Sequence, residues 1–164
     1  MIVAYVIGRR VYSWKIAIAA GVLALIGAVF GYYAAAYASD LMDISTSTLA
    51  VIGVWMLMAC IAGTVFGIGG YVSVHGTGLL QKLATASLGA IFLGEGLYLM
   101  TILPTLTTGF MWLGIAAVTT LLLTWNNRAR VQIWLMTIGL GLVFCVCLRL
   151  LVLLDNLRAS TFQG

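Results

Sequence analysis

Five long apolar runs, separated by short polar breaks, take up most of the chain. They cover about residues 16–38, 48–72, 83–103, 108–125 and 131–154. Each approaches or exceeds the ~20 residues with which an α-helix crosses ~30 Å of hydrocarbon. The pattern predicts an all-α fold: a polytopic transmembrane helix bundle of about five spans, forming one integral membrane domain over 1–164. Residues 1–8 are apolar but too short to cross, so they are expected to lie at the membrane interface. Run two, taken to its full length, is longer than the hydrocarbon core. It must tilt or end early, and Gly69-Gly70 is the expected stopping point.

Composition agrees with the pattern. Hydrophobic residues make up 63% of the chain and charged ones 7%, with mean hydropathy +1.16. Soluble domains carry about 25% charged residues. The net charge of +4 matters less than where the charges fall. With five spans, Arg9, Arg10, Lys15, Lys82, Arg128 and Arg130 come to one side. Asp40 and Asp43 come to the other, and only Arg158 breaks the division. By the positive-inside rule the N-terminus is cytoplasmic and the C-terminus external, in a bacterial cytoplasmic membrane. Aromatic residues cluster near both boundaries, as expected at the two interfaces. A cleaved signal peptide ending near Ala36-Tyr37-Ala38 is the competing reading, but its apolar run exceeds the usual 7–15 residues.

Small residues recur along the first two spans. Gly27 and Gly31 form one GxxxG element, and Gly63 and Gly67 form another. Such spacing lets helix backbones approach where lipid offers no hydrophobic drive. Packing within the chain is the simpler reading, ahead of a homodimer face. Gly94 and Gly96 are expected to do the same in the third span. The likeness of the two pentads also hints at an inverted internal repeat.

Between Gly94 and Gly96 stands Glu95, near the middle of an apolar span. Insertion scales put an acidic residue at helix centre at roughly 2.5–3.5 kcal/mol, so such residues usually face a bundle interior or a cavity. Glu95 is therefore the candidate intramembrane polar site. Arg149, in the last span, is its candidate partner, with snorkelling to the headgroups as the plainer alternative. Asp40 and Asp43 form an external acidic pair, three residues apart, where Asp and Ser commonly end and cap helices. Cys60, Cys145 and Cys147 lie inside spans, and His75 stands alone in a glycine-rich loop. No catalytic constellation, metal-ligand cluster or phosphate-binding loop is legible, and no cofactor is expected.

Five spans with several tryptophans superficially resembles the tryptophan-rich sensory (translocator) proteins. That family's proline- and tryptophan-rich segments are absent, with Pro104 the only proline, and nothing is carried over. Three functional classes remain. The first is a non-catalytic subunit or accessory protein of a membrane complex. The second is a small oligomeric solute or ion transporter that uses Glu95. The third is an intramembrane enzyme acting on lipid or peptide through Asp40, Asp43 or Glu95. The expected partners are the lipid bilayer and a membrane protein or second copy, not nucleic acid.

Overall fold

The computed structural model describes residues 1–41, 45–102 and 106–161, with side chains for all of these except 102 and 155–161. Among them are six helices and no strand: α1 (Ile2–Arg10), α2 (Trp14–Ala38), α3 (Thr46–His75), α4 (Gly78–Ile102), α5 (Leu106–Thr124) and α6 (Arg130–Thr161). All but α1 are long and apolar enough to cross a membrane. Leu23, Phe30, Val65, Phe110 and Leu122 each leave more than half of their surface uncovered. Water would penalise so much exposed apolar surface, whereas lipid solvates it. The fold is that of a polytopic membrane protein.

The described helices pack as two compact units, Met1–Gln81 and Lys82–Gly164. In the first unit, α3 packs against both α1 and α2. Glycine sets these contacts. A Cβ at Gly63 would stand 2.7 Å from the Val22 amide nitrogen and 2.8 Å from the Gly21 carbonyl carbon. Gly67 lies against the backbone of Ala17, and Gly8 of α1 lies against Gly67. Gly70 meets the Tyr5 carbonyl.

Three expectations need correction here. Gly69-Gly70 does not end α3, which runs on to His75. Gly70 serves as a contact point for α1, and the packing outweighs its roughly 1 kcal/mol helix penalty. Residues 1–8 do not simply rest at an interface, because Ala4 and Tyr5 are fully buried and Gly8 is locked against α3. Gly27 and Gly31 pack against nothing within 4 Å. The reason is helical phase. At 100° per residue, Gly27 points about 120° away from Gly21 and Gly31 about 80° away. The working stripe on α2 is Ala17 and Gly21, so the two GxxxG pentads are not equivalent in packing.

The helix ends in this unit are well specified. Asp40 has φ 53°, the left-handed conformation that Asp tolerates better than most residues. Its N–H donates to the Tyr37 carbonyl, and the Leu41 N–H donates to the Ala36 carbonyl, both at 3.1 Å. These two bonds form a Schellman motif that closes α2. Ser45 opens α3, its Oγ accepting from the Thr48 N–H at 3.2 Å. Gly76 leaves α3 in an extended conformation, and Gly78, at φ +61°, starts α4.

In the second unit, α4 packs against α5 and α6. A Cβ at Gly94 would stand 2.7 Å from the Gly141 carbonyl oxygen of α6. One at Gly96 would stand 3.1 Å from the Gly109 carbonyl oxygen of α5. Nearby, Phe92 stacks on Trp112 with ring centres 5.4 Å apart. Lower in the unit, Gly89 abuts Thr120 of α5 and Thr137 of α6. Thr120, Thr124 and Thr137 are buried, and each donates its hydroxyl to the carbonyl four residues back at 2.7, 2.7 and 2.9 Å. Threonine thus fills apolar packing without leaving a polar atom unsatisfied.

Candidate functional site

Glu95 occupies the most buried of the five long helices. Its neighbours Gly94 and Gly96 hold α4 against α6 and α5, respectively. The carboxylate itself points elsewhere. The side chain of Leu93 lies against Gly141 of α6, and a residue two positions further along a helix points about 200° away. Glu95 is therefore half-buried but off the seam that α4 makes with α6. Arg149 is exposed on α6, and no ion pair joins it to Glu95 among the described residues. The candidate pair is thus not assembled in this structure. An exposed arginine on the final span instead has the geometry for snorkelling along its own helix.

Of the candidate acidic pair, Asp40 sits in the α2 terminator described above, and Asp43 lies outside the described residues. The local backbone gives Asp40 a structural role, that of closing α2. Cys60, Cys145 and Cys147 are free thiols. Among the described residues no three His, Cys, Asp or Glu side chains gather where they could hold a metal. His75 is the last residue of α3 rather than a loop residue, and stacks on Tyr71 at 4.4 Å with Tyr12 edge-on at 6.4 Å.

One feature escaped sequence reasoning: a cleft of about 610 Å³ between the ends of α2 and α3 nearest the 41–45 link. It adjoins a second cavity of about 400 Å³, and Tyr32 and Tyr33 line both. Ala28, Val29 and Trp55 complete the lining of the second cavity. The rim carries the hydroxyls of Ser39, Ser47 and Thr48. Its origin lies in side-chain size. The α3-facing side of α2 runs from Ala17 and Gly21, where backbones touch, to Ala28, Tyr32 and Ser39, where Tyr32 and Trp55 leave more than half of their surface uncovered. Tyr33 and Trp55 belong to the aromatic residues expected near a membrane boundary, whereas Tyr32 does not follow from that reading. Their meeting in one cleft depends on the pairing of α2 with α3, which spacing within one helix does not reveal.

A model of a family of unknown function, DUF6518, matches residues 1–159. The chain belongs to that family. No curated protein and no solved structure matches it significantly.

Proposed function

We propose that this member of DUF6518 is a non-catalytic subunit or accessory protein of a membrane complex. The observation that carries this reading is Glu95. It is a mid-span, half-buried carboxylate with no hydrogen-bond or ion-pair partner among the described residues. Such a group is costly in hydrocarbon, at roughly 2.5–3.5 kcal/mol, and the cost falls when a partner supplies a polar group. In this reading a second membrane protein docks on α4 and completes the hydrogen bonding of Glu95. Purification of the full chain in mild detergent, followed by mass spectrometry, tests it. A stoichiometric protein partner is expected. Glu95→Gln keeps size and hydrogen bonding and should retain that partner, whereas Glu95→Leu should weaken recovery by about tenfold. Recovery of the chain without a protein partner, or equal recovery by both variants, overturns the reading.

Transport is the second reading, and the same carboxylate favours it. There Glu95 takes up a proton or cation, the chain purifies as a homo-oligomer, and Glu95→Gln folds normally but loses translocation. The same protein is read as spanning a bacterial cytoplasmic membrane with its N-terminus inside and C-terminus outside, on the distribution of its basic residues. A reporter fused after Gly164 should then be active only if it works outside the cytoplasm, and one placed at Asn127 should behave as cytoplasmic. A C-terminal fusion that fluoresces as a cytoplasmic protein defeats this orientation.

A further inference from the structure

We propose that the basic cleft where α5 gives way to α6 holds one anionic phospholipid by its phosphate. Both helices are long and apolar enough to cross a membrane, so the turn between them lies at a membrane boundary. The cleft has two adjoining parts, of about 410 and 460 Å³, which share Val131. Arg130 lines the first part and Arg128 the second, so both arginines belong to the cleft itself. Gln132 lines the second part too, and its Oε1 accepts from the Lys82 ammonium of α4 at 2.6 Å. Three cationic side chains therefore gather here from α4, α6 and the turn before α6.

No carboxylate of this unit answers them. At 1.5 Å per residue, Glu95 stands about 20 Å from Lys82 along α4, and Asp155 about 37 Å from Arg130 along α6. Neither arginine side chain has a hydrogen-bond or ion-pair partner among the described residues. The charge of the cleft thus calls for an anion from outside the chain, and the planar guanidinium fork matches phosphate oxygens. Basic pockets between crossing helices commonly seat anionic headgroups.

The apolar walls make that anion an amphiphile. Leu121, Val131, Trp134 and Leu135 form the rest of the first part. Val131, Trp134 and Leu135 share one face of α6 by their spacing of three and four, and the exposed Ile138 and Leu142 continue it. From Arg130 to Leu142 the helix runs about 18 Å, somewhat more than half of the ~30 Å hydrocarbon core. An acyl chain can follow that face through one leaflet while its phosphate stays with the arginines. A free phosphate would use the cations and leave the face uncovered.

The test uses the full chain reconstituted in vesicles of equal parts phosphatidylglycerol and phosphatidylcholine. It is then re-extracted in mild detergent and weighed by native mass spectrometry. One retained phosphatidylglycerol per chain is expected, favoured over phosphatidylcholine by about twentyfold, the scale of two basic side chains near a membrane surface. Arg130→Gln should cut that preference by about fivefold, the scale of one. Arg10→Gln, in the first unit, should leave it unchanged, and excess glycerol 3-phosphate should not displace the lipid. Equal retention of the two lipids by the native chain overturns the proposal, as does the same loss in Arg10→Gln as in Arg130→Gln. Displacement by glycerol 3-phosphate assigns the cleft to a soluble anion, and lipid-free dimers assign it to a second copy; either result sinks the lipid. Should Arg130→Gln fail to fold, Arg128→Gln, in the turn before α6, replaces it with the same expected loss.

Discussion

The α2–α3 pair has two unlike ends. Near Gly21 and Gly63 the backbones touch, and a single methyl group has no room. Near Tyr32 and Trp55 the same helices leave a cleft of several hundred Å³. Hydropathy barely distinguishes the two ends, since both are apolar. What separates them is the size of the residue that falls on the facing side at each turn. Small residues at one end bring in van der Waals contact as the main attraction available in lipid. Aromatic residues at the other end line an open cleft. Glycine content by itself predicts neither outcome, because Gly27 and Gly31 lie within the splayed half and touch nothing.

The largest effect should come from filling the tight end. Gly63→Leu or Gly21→Leu forces backbones apart and is expected to cost about 3 kcal/mol or more, at or beyond the upper range for overpacking. Gly27→Leu and Gly31→Leu should stay within about 0.5 kcal/mol, as surface changes do. Thermal unfolding in mild detergent measures all four. If Gly27→Leu destabilised as much as Gly63→Leu, the contact face assigned to α2 would be wrong.

This contrast also explains what could be read in advance. The five spans were legible because length and hydropathy suffice to mark a crossing helix. Small-residue spacing marked Gly63 and Gly67 as packing residues, and both lie in backbone contact with α2. The same spacing argument misplaced Gly27 and Gly31, because periodicity names a face without saying where that face points. Gly69-Gly70 reads as a stop in the sequence, since a glycine pair serves a breaker or a close contact equally well. Glu95 stood out through the cost of a carboxylate in hydrocarbon. Its direction relative to α6 needed the packing of Leu93 and Gly94 against Gly141, which no single helix encodes. The cleft needed two helices and the angle between them.

A middle-sized effect lies at the open end. At that end the helix terminators bear on the geometry. Asp40 holds the left-handed turn that closes α2. Asp40→Val places a β-branched residue at φ 53° and should destabilise by about 1–2 kcal/mol, the left-handed penalty for an ordinary residue. Asp40→Gly removes that penalty and should match or slightly exceed the native chain. Equal melting temperatures for the valine and glycine variants would mean that the turn does not hold this end.

The smallest effect concerns the opposite flank of the same link. Ser45 caps α3, accepting from the Thr48 N–H at 3.2 Å while its hydroxyl also contacts those of Ser47 and Thr48 at 2.8 and 2.9 Å. The site is exposed, so water replaces much of what Ser45→Ala removes, and a loss of about 0.5–1 kcal/mol is expected, toward the low end for a cap. Ser45→Asp restores an acceptor and adds a negative charge beside the helix N-terminus, where charge is favourable by about 0.3–1 kcal/mol. The two variants should therefore bracket the native chain in detergent unfolding. Amide exchange should report the same order locally, with Thr48 faster in Ser45→Ala and slower in Ser45→Asp. Indistinguishable exchange at Thr48 in all three proteins would show that the cap contributes nothing. The start of α3 would then be held by the packing of the rest of the helix, including the tight contacts of Gly63 and Gly67 with α2 and of Gly67 and Gly70 with α1.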